Sequence, residues 1–444
     1  MSCQEQNNVE IASENNLEIT TENTLDIKVR ARIVALCSVV YFISYFSRKD
    51  FAAAMAAMIT DGMLDKMTGG YIGMGMFIAY GIGQLISGYL GDRIKPRTLL
   101  LAGVGTTAVC NLLMPFVPAV MMIPVWTVNG LAQAMLWPPI VRILADTLDS
   151  ASFVRANLIV TSAAHVATVL LYVYVPFCIG LMSWEAVFYT ASALALLGFL
   201  IIFLQLNSVL RKAGVRCNPH KAVAKVKKSD ASMKGYFKLV LSAGIVPIFL
   251  CIIMMGFLRD GIETWLPTLY CEAFEREASE SIFISGVLPI FSIFSISAIT
   301  VLHTTKLFAN EARGSAILFA ISALITVGLY FIIENTDTLS RLLCLVLVAF
   351  VAALMHGCNF LLISCMPGRF ASYGKAATTS GFSNACTYVG AAISMYGIPS
   401  VAEAFGWRAT VGSWIAVAAL GLVAALIAMR AYTSFLKRSG AENQ

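Results

Sequence analysis

Residues 88–97 read GYLGDRIKPR and form a short charged turn between two long apolar stretches. Glycine lets two helices approach each other closely, and Gly88 lies where the first apolar stretch ends. Asp92 can pair with a helix dipole and with nearby arginines such as Arg93 and Arg97. A merely basic turn would explain the cations but not the glycine and the aspartate together. The turn therefore predicts two closely packed helices whose ends are held by an ionic contact.

The apolar stretches beside this turn belong to a series that runs through the whole chain. Of the 444 residues, 58% are hydrophobic and 13% are charged, and the mean hydropathy is +0.78. Soluble domains carry about a quarter charged residues, so this composition predicts an all-α integral membrane protein. We count twelve stretches long enough to cross a hydrocarbon core of about 30 Å. They lie near 31–59, 69–91, 98–118, 121–145, 153–179, 184–207, 237–271, 281–303, 314–333, 340–366, 376–398 and 407–432.

Lysine and arginine are concentrated in the stretch 208–238, which contains one acid, Asp230. The stretch after the seventh apolar segment is acidic instead. Because cytoplasmic loops are enriched in basic residues, we expect the 208–238 stretch and both termini in the cytoplasm, with no cleaved signal peptide. The predicted domains are an acidic tail at 1–30, a six-helix bundle at 31–207, a basic linker at 208–236, a second six-helix bundle at 237–432 and a tail at 433–444.

Several classes of protein are excluded by what the chain lacks. The eleven cysteines are scattered without a C-x-x-C pair, and no cluster of histidine, cysteine and acids has metal-ligand spacing. No nucleotide-binding or hydrolase motif is present. We therefore expect no enzyme activity, no cofactor and no metal. The net charge of +6 follows from membrane topology and the basic loop can touch anionic lipid, so nucleic acid is not an expected partner.

Two arginines lie inside apolar segments, Arg48 in the first and Arg259 in the seventh. A guanidinium near the bilayer centre costs roughly 2.5–3.5 kcal/mol, so it rarely persists there without a function. Tyr41 and Tyr45 precede Arg48 at i, i+4 and i+7, on one helix face. Arginine presents a planar fork suited to phosphate oxygens, and tyrosine hydroxyls add donors. One arginine in each half of the chain predicts an anion held between the halves.

Each candidate also has a purely structural interpretation. Arg259 can pair with Asp260 or Glu263 and serve helix packing, and Lys49 can extend to the membrane interface instead of lining a wall. A lone histidine such as His165 often bonds between helices. Polar residues of segments ten and eleven can bond substrate hydroxyls, or they can join helices. These residues are Asn359, Asn384 and Tyr388.

The turn 88–97 resembles the loop signature of the major facilitator superfamily, G-x-x-x-D-R-x-x-R/P-R/K. The pattern Y-x-x-x-Y-x-x-R-K-x-F-x-x-A-M at 41–55 resembles segment one of the organophosphate:phosphate antiporters, which include glycerol-3-phosphate and hexose-phosphate transporters. Further stretches resemble the same family in the same order. They are Ala79-Tyr80-Gly81, Trp137-Pro138-Pro139 with Arg142, Arg259-x-Gly261-x-x-x-Trp265-x-Pro267, and Gly374-Lys375-Ala376-Ala377-Thr378-x-x-Gly381-Phe382.

The resemblance implies two six-helix bundles, with Arg48 and Arg259 gripping a phosphate between them and His165 as a site histidine. It also implies four further residues around the cavity, namely Tyr41, Tyr45, Lys49 and Tyr80. The 88–97 turn would then hold one gating state shut through Gly88, Asp92, Arg93 and Arg97. The expected carrier is a monomer. Because a bound phosphate neutralises the arginines, the loaded carrier would change conformation more readily than the empty one. Such a carrier would exchange organophosphate for inorganic phosphate across the membrane.

Some positions depart from that family. Gln84 stands where some members have a lysine, and the turn 303–313 lacks the Gly-x-x-x-Asp element, so a second latch is expected to be degraded. We expect no membrane-embedded carboxylate that could relay a proton in segments one, two, four and five, and this disfavours a proton-coupled organic anion symporter. Asp260 and Glu263 would be the best candidate proton sites of such a symporter. A hexose-phosphate sensor of the same fold stays open. The expected location is a bacterial inner membrane.

Overall fold

A computed structural model describes residues 27–91, 94–212, 240–241, 246–373 and 375–439. The described residues 27–212, here called the first half, contain helices and no β-strand. These are α1 (Ile27–Thr60), α2 (Lys66–Gly91), α3 (Pro96–Leu113), a 3-10 turn (Met114–Phe116), α4 (Ala119–Ala134), α5 (Trp137–Thr147), α6 (Ser150–Leu181), α7 (Trp184–Ile201), a π-helix (Ile202–Leu206) and α8 (Asn207–Lys212).

The second half, described over 246–373 and 375–439, is likewise helical. It consists of α9 (Val246–Ala273), α10 (Ala278–Ser285), α11 (Val287–Leu302), α12 (Glu311–Ile332), α13 (Thr338–Asn359), a π-helix (Phe360–Cys365), a 3-10 helix (Met366–Tyr373) and α14 (Ala376–Ser439). Most of the predicted acidic tail and basic linker lie outside the described residues.

Ten helical stretches among the described residues are long and apolar enough to cross a membrane. The last of them, Thr378–Lys437, contains two crossings separated by Gly406, whose φ of 81° and ψ of 174° interrupt the helix. In addition, α9 has 28 residues, more than the roughly 20 that a crossing needs, although charged side chains lie in its middle. The prediction of twelve membrane-spanning helices is confirmed.

The reversal at Gly406 is visible in the contacts on either side of it. Trp407 donates to the Glu272 carboxylate at 3.0 Å, where α9 ends. The Tyr432 hydroxyl bonds the Glu311 carboxylate at 3.0 Å, where α12 begins. The residues 407 and 432 therefore lie at opposite ends of the molecule. We call the end formed by the turns 61–65, 274–277 and 333–337 the distal end, opposite to the end where α1 begins.

Short polar residues begin several of these helices. The Asp149 side chain accepts from the Ser152 backbone N–H at 3.0 Å, and Asp337 accepts from Ser340 at 2.9 Å. These contacts satisfy amide groups that a helix leaves unpaired at its first turn. Pro96 is the first residue of α3, where its missing N–H has no cost.

The two halves pack against each other toward the distal end. A Cβ added to Gly70 on α2 would lie 2.4 Å from the Met395 carbonyl oxygen on α14, so glycine is what permits this approach. The Tyr71 and Tyr396 rings stack at 5.9 Å, and the Lys66 ammonium pairs with Glu272 at 2.9 Å. These contacts close the distal end between the halves.

Candidate functional site

A polar cavity of about 280 Å³ lies between the two halves. All ten side chains that the sequence analysis predicts to bind substrate line this cavity, although they come from several helices far apart along the chain. They are Tyr41, Tyr45, Arg48, Lys49, Tyr80, His165, Arg259, Asn359, Asn384 and Tyr388. Their role as substrate ligands stays a prediction; their convergence on one cavity is a property of the fold.

The first-half wall of this cavity is built around Arg48 on α1. Its guanidinium carbon lies 4.3 Å from the centre of the Tyr45 ring and 4.9 Å from that of Tyr80. Such cation–π contacts hold an arginine without neutralising it. Among the residues that the structure describes, no carboxylate lies within ion-pair distance of Arg48. This cation is therefore available to an anion.

Aromatic rings surround the same cation from both halves. Tyr41 packs against Trp137 at 4.7 Å and edge-on against Tyr45 at 5.0 Å. From α14, Tyr388 packs against Tyr80 at 4.5 Å. Tyrosine and tryptophan rings offer apolar faces together with polar groups, so this wall can contact the carbon skeleton of a ligand as well as donate hydrogen bonds.

Arg259 on α9 is in a different state. One terminal nitrogen of its guanidinium bonds the Asn359 side-chain oxygen at 2.6 Å, and the other pairs with Asp260 at 2.6 Å. Its Nε is buried without a hydrogen-bond partner. The sequence left open whether Arg259 pairs with Asp260 or Glu263, and the structure selects Asp260. This guanidinium is held in place and already has an internal counter-ion.

Glu263 joins the two halves across the cavity. Its carboxylate pairs with the Lys49 ammonium of α1 at 2.7 Å and with His356 Nε2 of α13 at 2.5 Å. The Tyr172 hydroxyl of α6 donates to the Glu263 backbone oxygen at 3.2 Å. Lys49 is thus a wall residue and does not extend to the membrane interface. Glu263 holds α9 against both α1 and α13.

His165 lines the cavity from α6. Its Nδ1 lies 3.0 Å from the Thr161 carbonyl oxygen, one turn earlier on the same helix. A carbonyl oxygen only accepts, so Nδ1 carries a proton and Nε2 is left for a second partner. The neutral ring can then accept a hydrogen bond, and the protonated ring can donate one to an anion.

Sequence reasoning assigned no site role to several other side chains of the lining. These are Thr168, Pro289, Ser292, Ile296, Ile363 and Thr387. A signal existed for part of this set, because positions 289, 292 and 296 recur at i, i+3 and i+7 on α11. Gln84, noted for its difference from a family lysine, also faces the cavity.

One expectation from the sequence is wrong. Segment one does contain a membrane-embedded carboxylate, because Asp50 on α1 is fully buried. One of its oxygens accepts from the Phe51 backbone N–H at 2.8 Å, and the other has no hydrogen-bond partner among the described residues. Asp50 does not line the cavity. A carboxylate at this depth has the same physical cost as a guanidinium, so the sequence alone already marks Asp50 as a candidate functional group.

The turn 88–97 is only partly described. Asp92 and Arg93 lie outside the described residues, and Gly88 is part of α2. Arg97 donates to the Phe203 carbonyl oxygen at 2.9 Å and lies over the Phe203 ring at 4.9 Å. This contact joins the start of α3 to the π-helix that follows α7. The gating role of the turn stays a prediction.

The corresponding turn of the second half holds a buried ionic cluster despite lacking the Gly-x-x-x-Asp element. Glu311, fully buried at the start of α12, accepts from Arg369 Nε at 2.9 Å and from the Tyr432 hydroxyl at 3.0 Å. His303 Nε2 lies 3.4 Å away. His303 is eight positions from Glu311, but Arg369 and Tyr432 are 58 and 121 positions away along the chain, so no local motif could predict the whole cluster.

Comparison with known proteins agrees with this architecture. The family model described as Major Facilitator Superfamily matches residues 37–395. The chain is 22% identical to a protein named probable hexose phosphate transport protein from Chlamydia pneumoniae, over 90% of each chain. It is 25% identical to a glycerol-3-phosphate transporter from Bacillus subtilis, over 82% of this chain and 84% of that one.

Two further similarities are informative. A protein named membrane sensor protein UhpC from Salmonella typhimurium is 21% identical over 83% of this chain and 84% of its own length. Among solved structures, the nucleoside transporter NupG (D323A mutant) superimposes with a TM-score of 0.73 at 13% identity, covering 90% of this chain and all of that one. At that identity the structural match concerns the fold alone.

Proposed function

Because the family model spans most of its length, this chain belongs to the Major Facilitator Superfamily, and we propose that it exchanges a small organophosphate for inorganic phosphate by alternating access. The resemblance to organophosphate transporters is confirmed by relatives that carry hexose-phosphate and glycerol-3-phosphate transporter names. The family and the named relatives are transporters and not enzymes, and they support a location in a bacterial inner membrane. Both points agree with the predictions from the sequence. The orientation of the termini stays a prediction.

The observation that carries this proposal is the state of Arg48. It is a cation inside a membrane protein, faces a cavity between the halves, and has aromatic rings but no carboxylate beside it among the described residues. The cost of keeping it there is offset when an anion binds. A phosphate group suits it, because two oxygens can accept from the planar fork while tyrosine hydroxyls donate to the third.

Arg259 would act on the same phosphate from the other half. Asn359 and Asp260 orient its guanidinium, and Asp260 occupies the position of a counter-ion. A phosphate that reaches Arg259 therefore competes with Asp260. The proposal is that phosphate oxygens share this cation in the loaded state, which draws the two halves together around the ligand.

Charge then explains obligatory exchange. With the distal end closed, the Lys49–Glu263 pair ties α1 to α9. Opening the distal end separates the halves and would leave a buried charge without a partner, which is costly. A bound phosphate supplies a new partner for the cations of the cavity, so the loaded carrier crosses more readily than the empty one. Phosphate and organophosphate would then exchange one for the other.

The organic part of the substrate would lie among the remaining polar groups. Asn384, Tyr388 and His165 Nε2 can bond hydroxyls, and Trp137 offers an apolar face. A cavity of about 280 Å³ is small among ligand pockets, which favours a compact ester such as a glycerol phosphate or a single sugar phosphate.

The test is counterflow in proteoliposomes. Purified protein is reconstituted with internal phosphate, and uptake of labelled external phosphate is followed for wild type, Arg48→Lys and Arg259→Lys. We expect exchange in wild type, a strong fall in Arg48→Lys, a smaller fall in Arg259→Lys, and inhibition by phosphate esters but not by the free sugars. A wild type that shows no phosphate counterflow, while it still binds ligands in a folded state, contradicts the proposal.

A sensor function has one specific observation in its favour, the similarity to the protein named UhpC. The two functions separate in the same assay. If the protein is a sensor, the purified protein would bind a phosphate ester but would show no measurable counterflow. A proton-coupled symporter has Glu263 and the buried Asp50 as candidate proton sites, and it would show uptake driven by a pH gradient into vesicles that contain no phosphate.

A further inference from the structure

A second cavity, of about 560 Å³, lies at the surface of the first half near the start of α1. It is a groove between the first four turns of α1 and the end of the sixth membrane segment. We call it the lateral groove and define it by its lining residues. They are Val29, Arg32, Ala35, Leu36, Val39, Ile201, Leu204, Gln205, Ser208 and Val209.

The lining of the lateral groove is ordered from polar to apolar. On α1, Arg32, Leu36 and Val39 recur at i, i+4 and i+7 and so share one face. The first and last of them are about 10 Å apart along the helix axis. The sixth segment runs in the opposite direction, which places Gln205 and Ser208 level with Arg32. The polar end of the groove is thus at the end of the molecule where α1 begins, and its apolar end points toward the membrane centre.

The polar end contains a cation that lacks a counter-ion. Arg32 is exposed, and no ion pair or hydrogen bond of its side chain is found among the described residues. The neighbouring Arg30, in contrast, pairs with Asp149 at 3.1 Å. An anion beside Arg32 would therefore meet a cation that nothing in the described structure neutralises.

The apolar end is open to the membrane. Leu204 is 69% exposed and Val39 is 39% exposed, although both belong to membrane-spanning stretches. Leu204 and Gln205 are part of the π-helix Ile202–Leu206, whose wider turn interrupts the regular surface of the sixth segment. Single π turns inside helices often mark functional sites. Here the π turn shapes one wall of the groove.

We propose that the lateral groove binds one phospholipid with an anionic headgroup. The headgroup phosphate lies at Arg32, with Gln205 and Ser208 as further hydrogen-bond partners, and an acyl chain follows Leu36, Val39 and Leu204 toward the membrane centre. A free phosphate would leave the apolar end of the groove unfilled. A neutral lipid would leave Arg32 without a full counter-charge. An anionic phospholipid satisfies both ends, and attraction to a juxtamembrane cation is the usual source of such selectivity.

The experiment counts lipids retained by the protein. Full-length protein is reconstituted in an equimolar mixture of phosphatidylcholine and phosphatidylglycerol. It is then extracted from the bilayer in a mild detergent that keeps bound lipids in place, and the retained lipids are counted by native mass spectrometry. Wild type is expected to retain one phosphatidylglycerol in preference to phosphatidylcholine. Arg32→Gln should lower that retention roughly fivefold, the effect of about one lost cation–lipid contact. Ala35→Trp, which fills the groove from an exposed position, should lower it without changing any charge.

Arg211→Gln is the matched control, because Arg211 is an exposed cation on α8 that does not line the groove. It should retain phosphatidylglycerol as wild type does. Equal losses in Arg211→Gln and Arg32→Gln would mean that diffuse surface charge attracts the lipid, and the proposal fails. Equal retention of the two lipids by wild type, or full retention by Ala35→Trp, also overturns it.

Discussion

The two walls of the central cavity contain the same residue type in opposite states. On the first-half wall, Arg48 is held by the faces of Tyr45 and Tyr80 and has no carboxylate partner among the described residues. On the second-half wall, Arg259 is bonded by Asp260 and Asn359. Rings orient a cation and leave its charge intact, whereas a carboxylate neutralises it. One wall is therefore prepared for an anion, and the other must share its cation.

This asymmetry predicts unequal effects for equal substitutions. Arg48→Lys keeps the charge but loses the planar fork, so phosphate exchange should fall by roughly 10- to 150-fold, the effect of about 1.5–3 kcal/mol in charged hydrogen bonds. Arg259→Lys should cost less, because lysine still pairs with Asp260. Counterflow rates at several phosphate concentrations measure both variants. Arg341→Lys, on a partly exposed arginine near the distal end and outside the cavity, is the control and should exchange normally. Equal losses at 48 and 259 would remove the asymmetry.

The next largest effect is expected from substituting Glu263, the carboxylate that joins the two walls of the cavity. Glu263→Gln leaves Lys49 and His356 without their counter-ion, so the halves lose an ion pair between them and the cavity gains a positive charge. We expect exchange to slow by about tenfold or more while phosphate binds more tightly. Counterflow and equilibrium binding separate the two effects.

Glu272→Gln is the matched control for that substitution. It breaks the Lys66–Glu272 pair, which also joins the halves but lies outside the cavity. Phosphate affinity should therefore stay at the wild-type value. If Glu263→Gln and Glu272→Gln change affinity alike, Glu263 acts through inter-half packing and not through the charge of the cavity.

Asp260→Asn makes the second-half wall more like the first. The amide can still bond Arg259 but no longer neutralises it, so phosphate loses its internal competitor. Phosphate affinity should rise about fivefold, corresponding to on the order of 1 kcal/mol for one ion pair. Isothermal titration with phosphate measures this change. An unchanged or weaker affinity would show that Asp260 supports the bound state of Arg259 and does not compete with phosphate.

The smallest effect is expected from adding a charge to the first-half wall. Gln84 lines the cavity on α2, one turn after Tyr80. Gln84→Lys should raise affinity for phosphate about threefold, because a cation several ångströms from the ligand contributes little in a solvated cavity. Competition by a panel of phosphate esters would show whether the preference shifts as well. Asn335→Lys, at an exposed position of the turn 333–337 at the distal end, provides a control for added charge at a distance.

Much of the candidate site was predictable because each residue has a signal of its own. Arg48 and Arg259 are costly in a membrane, and Tyr41 and Tyr45 share a helix face with Arg48. Asp50 has the same cost as those arginines, so it too was predictable from the sequence. The pairing of Glu311 was not, because its partners Arg369 and Tyr432 come from other helices and no local spacing links them.

The sequence by itself determined the number and length of the membrane-crossing segments, since the bilayer imposes one apolar length on every crossing helix. It also determined which side chains are too polar to lie there without a function. Only the tertiary structure decided how the charges pair: Arg259 with Asp260, Glu263 with Lys49 and His356, and Arg48 with the rings of Tyr45 and Tyr80. Ion pairing depends on distances of a few ångströms between side chains on different helices, and the packing of the two halves sets those distances.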